Sequence, residues 1–218
     1  MSSRAQKRRL ESRNLKRVVG NVREYLNSER PLGWQQRIQL LLSWGNIGYS
    51  ASARYLQQVE RIFRESKGPV LECGSGATTL LIALLAEKYN RKAWAFEHHE
   101  YWAAHVNEVL VSLNLKPVTV CHAPLKSYGE FEWYDAPENL PADFGMVICD
   151  GPPGTIRGGR YGLFPVMGSH LDPDCRILLD DTHRRNEQEL IKRWEGERRL
   201  GTNPIGFFGS CTELALVG

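Results

Sequence analysis

The sequence predicts an α/β chain: a doubly wound sheet, mostly parallel with an antiparallel last strand, preceded by N-terminal helices. Three observations carry that expectation. Short apolar runs alternate with helical patterns between residues 70 and 194, the order that right-handed crossovers build. The first run leads into a glycine turn and an apolar helix, Val70-Leu71-Glu72-Cys73-Gly74-Ser75-Gly76-Ala77-Thr78-Thr79-Leu80. The chain then closes on two β-like runs, 205–208 and 211–217, separated only by Gly209-Ser210, which signals a hairpin.

Each element has its own warrant. Residues 1–33 read as a basic arm ahead of a domain spanning 34–218, itself divided into N-terminal helices (34–66) and a core (67–218). Helical spacing runs from Trp34 to Ser43 and from Tyr49 to Arg64, interrupted at Gly45 and Gly48. Lys67-Gly68-Pro69 stops the second helix and starts the first strand. The predicted strands are Val70–Cys73, Ala93–Glu97, Val118–Cys121, Met146–Asp150 and Ile177–Asp180, mostly continuous apolar runs suited to burial on both faces. Helical patterns cover Thr78–Tyr89, Glu100–Leu113, Tyr161–His170 and Asn186–Trp194. Residues 123–142 read as one long irregular insertion whose Phe131, Trp133 and Tyr134 either close over a ligand or pin the loop to the domain.

Composition bounds the class. At 218 residues and 42% hydrophobic, the chain can bury one good core. No apolar run approaches the roughly 18 residues of a membrane helix. The N-terminus is charged without the apolar stretch of a secretory signal. Five cysteines include no C-x-x-C pair, so they read as reduced core residues of a cytoplasmic protein. Charge is uneven: residues 1–30 hold nine Lys or Arg against three Glu, a +6 segment ahead of a −3 remainder. Such an arm suits nucleic acid or an anionic surface, or is a solvated extension.

The glycine turn points to a nucleotide-like ligand. Gly74 and Gly76 let backbone lie directly against it, and the following helix aims free N–H groups at the same place. Glu97 ends the next strand, 25 residues after Glu72, where dinucleotide folds keep the carboxylate that grips ribose hydroxyls. In an open α/β sheet ligands sit beyond the carboxyl ends of the strands. The ends here are Glu72–Gly76, Glu97–His99, His122–Leu125, Asp150–Gly154 and Asp180–His183, and four of the five carry carboxylates.

From about Tyr49 to Gly218 the chain resembles the class I S-adenosylmethionine-dependent methyltransferases, whose core is Rossmann-like. Leu71-Glu72-Cys73-Gly74-Ser75-Gly76 looks like their first motif, Glu97 matches their ribose-binding acid, and the terminal hairpin fits their reversed last strand. Asp150-Gly151-Pro152-Pro153-Gly154, Arg160-Tyr161 and Leu178-Leu179-Asp180-Asp181 resemble a bacterial small-molecule and sugar subgroup. The resemblance implies that Glu72, Gly74, Ser75, Gly76 and Thr78 hold the methionine moiety. It places Glu97 on the ribose, and His98, His122 and Ala123 near the adenine, with Asp150 also at the cofactor. His122 departs from the acid or amide that many members carry there. A nicotinamide dehydrogenase is the rival, but Thr79 stands where its third glycine would be.

On the acceptor side the same resemblance implies two arrangements. In one, Asp150 and Asp181 hold a divalent cation such as Mg²⁺, as in the catechol O-methyltransferases, with Thr182 replacing that family's amide ligand. In the other, Asp150 or His183 is the base. His98-His99 reads as one histidine by the cofactor and one at the surface, and Arg157, Arg160 and Tyr161 as surface residues or as a grip on an anionic acceptor. The leading reading is O-methylation of a small molecule or sugar. The alternatives are RNA ribose methylation with residues 1–30 gripping nucleic acid, and a non-catalytic α/β binding module.

Overall fold

Val70-Leu71-Glu72-Cys73 is fully buried and becomes the strand from which the site hangs. The computed structural model describes residues 3–45, 51–206 and 210–217. Helices α1 (Ser3–Asn27), α2 (Trp34–Trp44) and α3 (Ala53–Glu65) precede strand β1 (Val70–Cys73). There follow α4 (Ala77–Lys88), β2 (Ala93–Glu97), α5 (Glu100–Ser112) and β3 (Val118–His122). A small hairpin of β4 (Leu125–Ser127) and β5 (Glu132–Tyr134) leads to β6 (Phe144–Cys149) and α6 (Leu163–Met167). The chain ends with β7 (Leu171–Asp180), α7 (Arg185–Glu197), β8 (Leu200–Ile205) and β9 (Cys211–Leu216).

Seven strands form one sheet in the order β3-β2-β1-β6-β7-β9-β8. Strands β1, β2, β3, β6 and β7 are parallel, and β9 inserts antiparallel between β7 and β8, as the sequence predicts for the last strand. The chain order reverses beside β1, which pairs with β2 on one side and β6 on the other, so a crevice opens above its carboxyl end. Period-2 alternation feeds two apolar layers. Met146 and Ile148 of β6 join the helices α1 to α5, while Val147 and Cys149 join α6, α7 and β5.

Three expectations are corrected, and one open choice is narrowed. The insertion is not wholly irregular: Leu125–Ser127 pairs antiparallel with Glu132–Tyr134, while 135–142 has no regular element. Of the two roles left open for its aromatics, burial favours pinning for Trp133 and Phe131, while Tyr134 is fully buried and also lines the cavity described below. Tyr161–His170 is not one helix; 3-10 turns at Gly159–Gly162 and Gly168–His170 flank the five residues of α6. The penultimate strand lies at Leu200–Ile205, earlier than predicted, and 207–209 fall outside the described residues, as do 49 and 50 of the second predicted helix.

The basic N-terminal segment is helical from Ser3, and the part from Leu15 to Leu26 docks on the core. Leu15, Val18, Val19, Val22 and Leu26 bury one face of α1 in the core. Arg23 pairs with Glu87 of α4 at 2.7 Å. The segment joining α1 to α2 is held by buried Glu60, which accepts the Leu32 amide at 3.0 Å and pairs with Arg64 at 2.8 Å. No helix among the described residues is long and apolar enough to cross a membrane. Leu26 is 1% exposed, so Leu26→Ala is expected to cost about 3 kcal/mol in urea unfolding. An unchanged midpoint would mean that α1 does not dock.

Candidate functional site at the sheet switch point

The glycine turn is built by three strand ends held together. Gly74 takes φ +97°, which suits glycine far better than any other residue. Its amide donates to the Phe96 carbonyl at 2.9 Å, tying β1 to β2. The Asp150 and Gly151 amides both donate to the Cys73 carbonyl, at 3.1 and 2.8 Å, tying β1 to the end of β6. Gly151 has no room for a side chain, because a Cβ there would collide with the Tyr134 hydroxyl.

Glu72 supports this turn from beneath. It is 2% exposed and accepts hydrogen bonds from the Thr78 and Thr79 hydroxyls. Thr79 Oγ1 in turn accepts the Gly76 amide at 2.8 Å. The carboxylate therefore fixes the turn through the first residues of α4. Burial pushes its pKa up to about 8, against the lowering effect of the two threonine hydroxyls.

Above the turn lies a cavity of about 480 Å³. Gly74, Ser75 and Gly76 form its floor, Glu97 one side, and Asp150, Gly151 and Pro153 the opposite rim. Glu97 is 5% exposed and held on three sides. Its Oε2 accepts from Ser75 Oγ at 2.9 Å, and its Oε1 accepts from the His99 amide at 2.9 Å and lies 3.2 Å from His98 Nδ1. Aromatic rings complete the wall. Trp102 donates its indole N–H to the Ser75 carbonyl at 2.9 Å and meets Trp44 edge-on at 5.9 Å. The Tyr134 hydroxyl faces Gly151 without a hydrogen-bond partner.

Beyond Asp150 sits a buried cation. Arg160 is 3% exposed, a correction to the surface reading. Its guanidinium donates to the Asp150 carbonyl at 2.6 Å and carboxylate at 3.1 Å, and to the Asp181 carboxylate at 3.0 Å. It also donates to the Asp180 carbonyl at 2.5 Å, binding the ends of β6 and β7 to the segment before α6. Arg184 reaches Asp181 at 2.8 Å from the other side. The residues therefore do not fit the divalent cation anticipated at Asp150 and Asp181: two guanidinium groups already match these carboxylates. No metal-holding cluster of His, Cys, Asp and Glu occurs among the described residues. Asp150 keeps 40% of its side chain open. Its pKa is nonetheless raised above the usual aspartate value, because desolvation outweighs Arg160 and Asp181 adds repulsion. Asp180 is pushed up to about 7, by burial first and then by Asp150.

Of the sequence-predicted residues, Gly74, Ser75, Gly76, Glu97, His98 and Asp150 converge on the cavity. Glu72 and Thr78 lie below it, bonded to one another. Ala123 is buried, its amide on the Glu97 carbonyl at 2.8 Å, and His122 is exposed at the end of β3; neither is in the lining. His183 is exposed in the turn before α7 and is not in the lining either. Both His98 and His99 line the cavity, where one was expected. Sequence reasoning missed Trp44, Tyr101 and Trp102, and left Tyr134 undecided. The spacing of Trp102 within one turn of His99 was the available signal, whereas Trp44 arrives from a separate helix.

No protein-family model matches the chain, and no curated protein does. Solved structures do match. A methyltransferase of Podospora anserina with S-adenosylhomocysteine bound gives a TM-score of 0.60 at 14% identity, covering 85% of this chain and 86% of that one. An O-methyltransferase of Bacillus cereus in complex with the same molecule gives 0.58 at 15%, over 91% and 97%. A putative O-methyltransferase of Klebsiella pneumoniae gives 0.56 at 18%, over 90% and 96%. The chain thus has the Rossmann-like fold of these methyltransferase structures.

Two measurements probe this arrangement. Arg160→Met leaves Asp150 and Asp181 without their shared cation and should cost about 3–5 kcal/mol in urea unfolding; a change below about 1 kcal/mol would show that the clamp carries little. Folded Glu72 holds its proton up to about pH 8, while an unfolded chain releases it near the ordinary 4.5. Between those values the folded state binds more protons, so this group makes stability fall as pH rises. Glu72→Gln removes that titration. Its stability relative to the parent should rise by more than about 1 kcal/mol from pH 5 to pH 8, and a constant difference would contradict the burial effect.

Proposed function

We propose that the chain is an S-adenosylmethionine-dependent methyltransferase that methylates an oxygen of a small molecule or sugar. The observation carrying this reading is Glu97: a carboxylate held rigid by Ser75 and the His99 amide, on the wall of a cavity floored by Gly74 to Gly76. That pairing suits a nucleoside attached to an amino acid. The close backbone approach that Gly74 to Gly76 allow and the positive end of α4 receive the amino-acid end, and Glu97 accepts from the ribose hydroxyls. His98, His99 and Trp102 offer flat surfaces to the base.

When bound, the cofactor supplies a methyl group already activated on a sulfonium. The protein's own contribution is then placement and exclusion of water. Asp150, on the rim opposite Glu97, is the group placed to take the proton of an acceptor hydroxyl, and its upward-shifted pKa moves it toward that task. Arg160 holds it in position from behind. The Tyr134 hydroxyl, lacking a partner inside the fold, donates to whatever fills the cavity beside Gly151.

Calorimetry with S-adenosylhomocysteine tests the reading. Binding in the micromolar range is expected, with Glu97→Ala weakening it by about tenfold or more, the loss of one charged hydrogen-bonding group. Because Arg160 matches the aspartates, Mg²⁺ should leave the affinity within about twofold. Unchanged affinity in Glu97→Ala would remove the ribose role.

A further inference from the structure

A second cavity of about 280 Å³ lies behind the first, lined by Gly154, Gly159, Arg160, Glu187, Leu190 and Arg193 among others. The two are adjacent: Pro153 lines the first and Gly154 the second, while the Asp150–Arg160 ion pair joins a residue of each. Glu187, in the first turn of α7, is 3% exposed. Among the described residues its Oε2 has no hydrogen-bond partner, and its Oε1 forms a long ion pair with Arg160 at 3.7 Å. A Cβ on Gly154 would stand only 3.1 Å from that Oε1, so the carboxylate is turned toward the loop that lines the cavity.

Charge decides what this carboxylate wants. Arg160 is engaged by Asp150 and Asp181, and Arg184 also by Asp181. With Asp180 the cluster holds four carboxyl groups against two guanidinium groups, and Glu187 has only the 3.7 Å ion pair with Arg160, longer than those of Asp150 and Asp181. The other cation of the lining is committed elsewhere. Arg193 stacks on Tyr161 at 3.6 Å and pairs with Glu197 at 3.0 Å. A buried carboxylate in this position calls for a donor carrying positive charge.

We infer that this second cavity binds an ammonium group of the methyl acceptor, with Glu187 as its counter-ion, so that the acceptor is an amine-bearing small molecule such as an amino sugar. The inference rests on the methyltransferase reading for the word acceptor, but the ammonium site stands or falls on its own measurement. Glu187 is a binding residue in this scheme and takes no part in proton transfer.

The test is an amide NMR titration of the full chain with glucosamine against glucose, and with n-butylammonium against n-butanol. Saturable shifts at Gly154, Gly159 and Glu187 are expected with the ammonium probes, at least about tenfold tighter than with their neutral partners. Glu187→Gln should abolish that preference while leaving S-adenosylhomocysteine binding at the first cavity unchanged. Absence of saturable shifts with both ammonium probes, equal response to the neutral ones, or an undiminished preference in Glu187→Gln would each overturn the inference. Should Glu187→Gln fail to fold, the charged-against-neutral comparison on the unaltered chain decides alone. A parallel titration with S-adenosylhomocysteine reports on Gly74, Ser75 and Glu97, so failure of the methyltransferase reading is seen separately.

Discussion

The arrangement beyond the sheet depends on one buried guanidinium. Arg160 reaches back from the segment before α6 to the ends of β6 and β7, where two strands would otherwise present Asp150, Asp180 and Asp181 to one another. Asp180 is pushed up to about 7, while the Asp150 and Asp181 carboxylates are paired with a cation. Arg160 supplies it in a planar form that meets carboxylate and carbonyl oxygens together. The rim of the cavity owes its position to that contact, as does the turn from Asp150 to Gly154.

Two glutamates show how the same side chain takes opposite tasks. Glu72 is sealed under the glycine turn, titrates near 8, and spends its oxygens on threonine hydroxyls. Glu97, on the neighbouring strand, opens onto the cavity and is oriented by a serine hydroxyl and a backbone amide. One shapes the backbone that meets a ligand and the other faces the ligand directly. Thr79 explains why the turn differs from a dinucleotide motif: it links the Gly76 amide to Glu72 in the place where a third glycine would permit closer helix packing.

Much of this was legible in the sequence where burial leaves a local mark. Strands β1 and β2 are mostly apolar runs, broken by Glu72 and ended by Glu97, and match their predicted bounds, and the reversed last strand follows from the closeness of two β-like runs. Strand β8 was misplaced because Leu200-Gly-Thr-Asn-Pro-Ile is an edge strand, exposed along most of its length, with a proline that only an edge tolerates. The three-residue strands β4 and β5 are too short for periodicity to register. In the site, Glu97 and Asp150 were found because strand ends are predictable places. Trp44 was not, since it comes from a helix preceding the sheet, and Arg160 was named without its burial, which depends on distant acids. Asp150 and Asp181, expected to share a cation, do converge, but with an arginine between them that spacing alone does not reveal.

The structure of the chain with S-adenosylhomocysteine bound is the most direct measurement. The account predicts the ribose hydroxyls within hydrogen-bonding distance of Glu97 and the amino-acid end against Gly74 to Gly76. Ligand density elsewhere on the molecule, or a ribose turned away from Glu97, would contradict it.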